Sequence, residues 1–378
     1  MSQATVTSRG WGWAAHLRAG GTTPWAEWVG GPVEPGGRTL PGGEQLELLR
    51  RLNLVGRPGP ALVRRVLTTS APGRGRRGLP LPGDGAPPAY GVGPVDPGSL
   101  PAEELLRTAA LLLAEDLVAA DAAGQTQPDP TPGRRRRLRH RYRLAGDRWA
   151  TGPLRDELVR RGHPQGGREH VVYVVGRPLD LLLADVWTAR CFGQAPVAWP
   201  AWLAQARHRG SLGPRTDLLR VARQWRDRVG PERVQIVLDT SLLPALLRVR
   251  RLPAAVVSPP ALSADAVELA RQVGPTLGLL VAPEEKERLL RRGLRPRLVA
   301  AAPARPSRPP LGVPSEHLDW LREQARRQRD GLRADGYAVH GDLDQLLPAE
   351  TGDPAGLPDV DRVLTLALRL LAERGGRA

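Results

Sequence analysis

The stretch "HVVYVVGRPLDLLLADVW", residues 170–187, carries the side chain best placed for chemistry in this sequence. Five apolar or aromatic residues run into Gly-Arg-Pro, and a leucine-rich helical pattern follows. That order predicts a buried strand, a turn and a helix, with Arg177 at the strand's carboxyl end. Ligands of open parallel sheets bind past such ends, where loops and helix N-termini present donors. A planar guanidinium there holds a phosphate or sulfate through two parallel hydrogen bonds. The competing role is plainer: an arginine that caps loop carbonyls or lies in solvent.

Other reactive residue types offer less. The seven histidines show no paired spacing for a metal, and His170, just before the buried run, is the one candidate general base. Cys191 lies one helical turn past Trp187 and reads as a buried structural thiol. A single cysteine excludes an internal disulfide and any cysteine-cluster zinc site. No Gly-x-Ser-x-Gly elbow and no paired-carboxylate motif stands out.

The other chemical feature is charge. "RRRRLRHRYR", residues 134–143, holds seven arginines in ten positions, a cluster that attracts the phosphates of nucleic acid or anionic lipid. Tyr142 is its only aromatic, so the run lacks the stacking side chains of base recognition and also fits a solvated edge leading into a strand. The whole chain carries a net charge of +16, yet Lys286 is its only lysine. Abundant arginine beside 43 glycines and 39 prolines points to GC-rich coding, which inflates the charge without a functional demand. Charge alone therefore supports non-specific polyanion binding and nothing narrower.

A hydrophobic content of 41% over 378 residues suffices for one large domain with additions, or for two. No apolar run reaches the roughly 18 residues that span a bilayer. "MSQATVTSRGWGW" has no apolar signal region, and a cytoplasmic location is expected.

The elements that must position these residues follow from periodicity. Residues 1–70 read as short amphipathic helices, including "GGEQLELLRRLN" and "GPALVRRVLTTS". Trp11, Trp13, Trp25 and Trp28 within them read as packing anchors more than as a stacking platform for a base or sugar. Residues 71–98, of which fifteen are Pro or Gly, read as a loop. A helix is predicted over about 101–119, with Leu105, Leu106, Ala109, Leu112, Leu113 and Leu117 along one face. "AAGQTQPDPTPG", 122–133, reads as a polar linker. Strands at 141–144, 171–175 and 233–238 then alternate with helices near 179–190, 199–208, 215–229, 263–273 and 315–336. "YAVHGDL" closes the alternation as a last strand, and a docking helix covers 357–374. Trp187, Trp199, Trp202, Trp225 and Trp320 fall on helical patterns as core. The alternation predicts an α/β fold with a mainly parallel sheet flanked by helices. A helical, loop-rich N-terminal region (1–133) precedes the α/β domain (134–350), and residues 351–378 form the C-terminal helix.

From about residue 170 to 348 the order of elements resembles the sulfotransferase family, a P-loop-like α/β fold, in its divergent actinobacterial form. "VVYVVGRPLDLLLADVW" is similar to the strand, Arg-Pro turn and helix that cradle the nucleotide 3′-phosphate. "RVARQWRDRVGPERVQIVLD" (220–239) resembles the helix and turn before the next strand. "EHLDWLREQARRQRDGLRADGYAVHGDLDQLLP" (316–348) resembles the C-terminal helix and tail, and "PALSADAVELARQV" (260–273) is a weaker fourth likeness.

The resemblance implies a 3′-phosphoadenosine nucleotide as cofactor and a phosphate loop after the first strand. The positional counterpart of that loop is "LAGDRWATGPLRDEL" (144–158), with Gly146, Arg148, Thr151 and Gly152 as its binding residues beside Arg177. Two departures stand out. Asp185 occupies the position of the serine that donates to the 3′-phosphate, and at pH 7 a carboxylate there repels the phosphate. The loop has no lysine, and Arg148 offers a fork in place of a compact charge. "GGTTPW" (20–25) mimics the Gly-Thr-Thr of the family's loop but follows a helical pattern, and Lys286 sits in a charged helical face. Two functions remain open. One is a divergent sulfotransferase-like protein that binds a nucleotide or another phosphorylated or sulfated ligand, with sulfuryl transfer in doubt. The other is a non-catalytic scaffold whose basic surface binds a protein partner or polyanion.

Overall fold

Four short strands, two of them rich in β-branched residues, pair into one parallel sheet in a computed structural model of the chain. The structure describes residues 6–28, 31, 34–36, 40, 42–69, 79–84, 93–128, 131, 133, 141–167, 169–194, 196–257, 262–302, 310–349 and 356–375. The strands are β1 (Tyr142–Gly146), β2 (Val171–Val175), β3 (Val234–Val237) and β4 (Ala338–His340), and they lie side by side in sequence order. Tyr142 pairs with Val171 and Gly146 with Val175, Val172 with Val234, and Gln235 with Ala338. Parallel pairing forces a crossover between neighbours, and helices supply it. Helix Arg148–Arg160 joins β1 to β2, and Leu179–Cys191, Trp199–His208 and Leu218–Val229 lie between β2 and β3.

Strand alternation decides which side chains meet which layer. Tyr142 and Leu144 of β1, Tyr173 and Val175 of β2, and Val237 of β3 share one face and pack with Leu154 and Leu158 of helix Arg148–Arg160. The opposite parity puts Arg143 on the other side of β1, where it meets helix Leu218–Val229. The outer edge of β1 does not stay open. Leu144 N donates to Gln165 Oε1 at 3.1 Å, its carbonyl accepts from Arg155 Nη2 at 2.8 Å, and the Tyr142 carbonyl accepts from Gly166 N at 3.0 Å. These bonds remove the unpaired groups on which another strand would add.

The tryptophans divide by environment. Trp187, Trp199 and Trp202 are buried, with neighbouring ring centroids 5.4 and 5.5 Å apart, and the indoles of Trp187 and Trp199 donate to the carbonyls of Val197 and Gly312. Trp225 and Trp320, expected in the core, are only half-buried. The pattern of helix Leu218–Val229 explains Trp225: Leu218 and Ala222 are its buried residues, and arginines dominate the rest.

The chain divides into two compact units. One comprises Gln127–Val267 and Leu298–Leu357 and contains the parallel sheet; the other comprises Met1–Thr126, Glu268–Arg297 and Pro358–Ala378. The boundary after Thr126 falls within the polar stretch read as a linker. In the helical unit, Ala102–Ala122 buries residues on more than one face, from Leu105 and Ala109 to Ala110 and Leu113. Such a helix needs partners on several sides. The C-terminal helix Val360–Gly375 packs along it, burying Val363, Leu364, Ala367 and Leu371, and Arg288 clamps Asp121 through both guanidinium nitrogens at 2.6 and 2.5 Å. Trp13 and Trp25 pack 5.3 Å apart in the same unit, and Trp28 stacks on His16. Among the described residues no helix is long and apolar enough to cross a membrane.

Leu158 is fully buried between helix Arg148–Arg160 and the sheet. Leu158→Ala should lower unfolding free energy by about 2–5 kcal/mol. The exposed Leu54→Ala should change it by less than about 0.5 kcal/mol, both read from urea midpoints.

Candidate functional site

β1 ends at Gly146, whose φ of +128° suits glycine, and a Cβ there would come within 2.6 Å of the Val175 carbonyl oxygen. The next residue, Asp147, is the N-cap of helix Arg148–Arg160. One of its carboxylate oxygens accepts from the backbone N–H groups of Trp149 at 2.6 Å and Ala150 at 3.2 Å. The Thr151 hydroxyl donates to the Asp147 carbonyl at 2.6 Å. The donors that would cradle a phosphate at a helix start are therefore engaged inside the chain. Asp147 is 1% exposed, and burial pushes its carboxyl above the usual carboxylate range against the pull of those N–H groups.

The second helix start differs: Pro178 is the N-cap of Leu179–Cys191, and no side chain caps it. Asp180, in the first turn of Leu179–Cys191, is raised by burial while the backbone N–H groups of Leu181 and Asp180 itself hold it down. Arg177, at the end of β2, turns to Asp185 two helical turns on and donates to it from Nη1 at 2.6 Å. Burial pushes Asp185 up to about 6; the Arg177 charge opposes that shift and the nearby Asp147 carboxylate adds to it. The position expected to donate to a phosphate thus accepts from the arginine expected to hold that phosphate.

The remaining predicted residues fall around this centre. Arg148 is exposed beside the helix start. Gly152 is half-buried, and a Cβ there would meet nothing within 4 Å, so no close backbone approach requires glycine. Strand order adds a topological reason for the closed site. Crevices in doubly wound sheets open where the strand order reverses, and the order β1-β2-β3-β4 has no reversal among the described residues.

Other candidates lie elsewhere. His170 hydrogen-bonds the Gly167 carbonyl through Nδ1 at 2.9 Å and meets the Trp225 ring edge-on. Cys191 is buried. The 20–25 loop follows helix Arg9–Arg18, and its Thr23 is taken by Trp13 Nε1 and His16 Nε2. Lys286 lies on helix Pro283–Leu289 of the helical unit. Residues 134–140 of the arginine run are outside the described residues, while Tyr142 is buried and donates its hydroxyl to the His163 carbonyl. No group of three His, Cys, Asp or Glu among the described residues could hold a metal ion.

Sequence reasoning missed Asp147. Its signal was present: an aspartate between a strand and a helix is a preferred N-cap. It also missed a cluster of Arg143, Trp225 and Arg228, whose members lie far apart in the chain. Compared with protein families, curated proteins and solved structures, the chain matches none.

The raised Asp185 makes a pH prediction. Between about pH 4 and about pH 6 the native protein holds a proton that the unfolded chain has released, so this group's contribution to stability falls as pH rises through that window. Asp185→Asn has no such proton to lose. Its stability relative to wild type should increase across the window, measured by urea unfolding at a series of pH values, and a constant difference would contradict the burial of this carboxyl.

Proposed function

We propose that this chain is a non-catalytic interaction protein, built on a sulfotransferase-like α/β unit whose nucleotide site is closed by its own aspartates. Its basic surface takes a protein partner or polyanion. The observation that carries this reading is the Asp147 carboxylate seated on the N–H groups of Trp149 and Ala150, where a phosphate would sit. The kinship itself draws support from the parallel sheet and from the Gly-Arg-Pro turn between β2 and its helix.

Electrostatics supports the same conclusion. Sulfuryl transfer needs positioned cations to stabilise charge on the bridging oxygen, as phosphoryl transfer does. Here Arg177 is neutralised by Asp185, and Asp147 and Asp180 add two more buried or half-buried carboxyls at the strand ends. A nucleotide phosphate would have to displace them.

Thermal unfolding with 3′-phosphoadenosine 5′-phosphate, ATP and sulfate, at two salt concentrations, tests the reading. A ligand at 100 times its dissociation constant stabilises the native state by about 2.7 kcal/mol, a readily visible shift. The expected result is no shift specific to the phosphoadenosine ligand. A shift given by that ligand alone and abolished by Arg177→Ala would overturn the proposal and restore the nucleotide-binding alternative.

A further inference from the structure

Several arginines of the sheet-containing unit are ion-paired. On helix Leu218–Val229, Arg223 and Arg226 both reach Asp335, and on Ser315–Ala334 Arg329 bonds Asp330 and Asp344. A second group of arginines gathers around a single indole. Arg141 precedes β1 and Arg143 lies on it; both are exposed while Tyr142 between them is buried. The Arg143 guanidinium carbon sits 5.3 Å from the Trp225 ring centroid, and that of Arg228, on the same helix as Trp225, sits 5.3 Å from the same ring. His170 meets this indole edge-on, with centroids 6.3 Å apart and an interplanar angle of 84°. Gly167, at φ +109°, passes so close to Arg141 that a Cβ would lie 2.6 Å from its Cδ. Among the described residues, Arg141, Arg143 and Arg228 make no ion pair with a carboxylate. Burial, and after it the charges of Arg148, Arg143 and Arg215 against the pull of Asp147, lowers the nearby Arg155 guanidinium.

We infer that Arg141, Arg143, Trp225 and Arg228 form a binding site for single-stranded nucleic acid on the outer strand of the sheet. A guanidinium held against an indole is a flat, weakly hydrated, charged surface. A nucleobase stacks on such a plane as it does on an aromatic ring, and the N–H edge stays available for a phosphate. Stacking beside unpaired cations is how sequence-tolerant single-strand sites work. An acidic polypeptide would use the charges and have no use for the half-buried indole. The inference deepens the reading of the chain as an interaction protein and rests on it.

The test is fluorescence anisotropy with a labelled oligo(U) strand of about 20 nucleotides, titrated with the full chain at low and moderate salt. Binding should exceed that of a matched duplex and of polyglutamate. Trp225→Ala should weaken it roughly tenfold, and Trp225→Phe, which keeps a ring face, should recover most of the loss. Arg143→Gln with Arg228→Gln should reduce the slope of log affinity against log salt by about 1.4, at about 0.7 per phosphate contact. Arg333→Gln, an exposed charge on helix Ser315–Ala334, should leave affinity unchanged. Thermal unfolding checks each variant, and the arginine pair decides if Trp225→Ala fails to fold. No binding at low salt would overturn the inference. So would binding that polyglutamate matches and Trp225→Ala leaves intact. A phosphoadenosine shift lost in Arg177→Ala would instead overturn the function proposed above, a failure separable because Trp225 variants leave Arg177 in place.

Discussion

Every α-helix begins with backbone N–H groups that have no partner within it, and their combined dipole attracts an anion. In parallel α/β sheets this demand falls at the carboxyl ends of the strands, so the answer to it shapes the whole upper face. In this protein the answer is Asp147. Its carboxylate satisfies the helix that follows β1, and its charge helps raise Asp185, which in turn fixes Arg177. A site able to bind a foreign phosphate would need those N–H groups and that guanidinium to remain unspent. The occupied helix start agrees with a strand order that shows no reversal among the described residues.

The outer strand β1 shows how the same physics leaves one surface closed and another open. Along its edge, Arg155, Gln165 and Gly166 consume the free backbone groups. On its face, Arg143 pairs with no acid among the described residues and lies on Trp225. Cation–π contact supplies part of what an ion pair would, at less desolvation cost to the guanidinium, and it keeps the charge exposed. The arginine-rich composition read as coding bias is thus put to different uses: some of these residues are tied to carboxylates, and Arg143 and Arg228 are laid on an indole.

Much of the fold was legible because its signals are local. "VVYVV" reads as a buried strand from five consecutive residues, and Gly336, at φ +71°, ends its helix as glycine does. Ser263 accepts from Ala266 N, the cap its position suggested. The site was less legible. Arg177 was correctly placed at a strand end, but its partner is set by a rotamer and a helix face that no spacing rule specifies. Trp225 was misread as core because helical periodicity ranks positions on one helix and is blind to what the neighbouring strand offers. Only the placement of helix Leu218–Val229 over β1 brings Arg143 to that ring.

The helical unit is assembled from three stretches of sequence separated by the other unit. Helix Ala102–Ala122 leaves the ribosome with apolar residues on several faces, and its partner Val360–Gly375 emerges more than two hundred residues later. At roughly 5–20 residues per second the interval lasts on the order of ten to fifty seconds. Synthesis therefore imposes a waiting period in which the apolar faces of this helix must be shielded by transient contacts or by a chaperone.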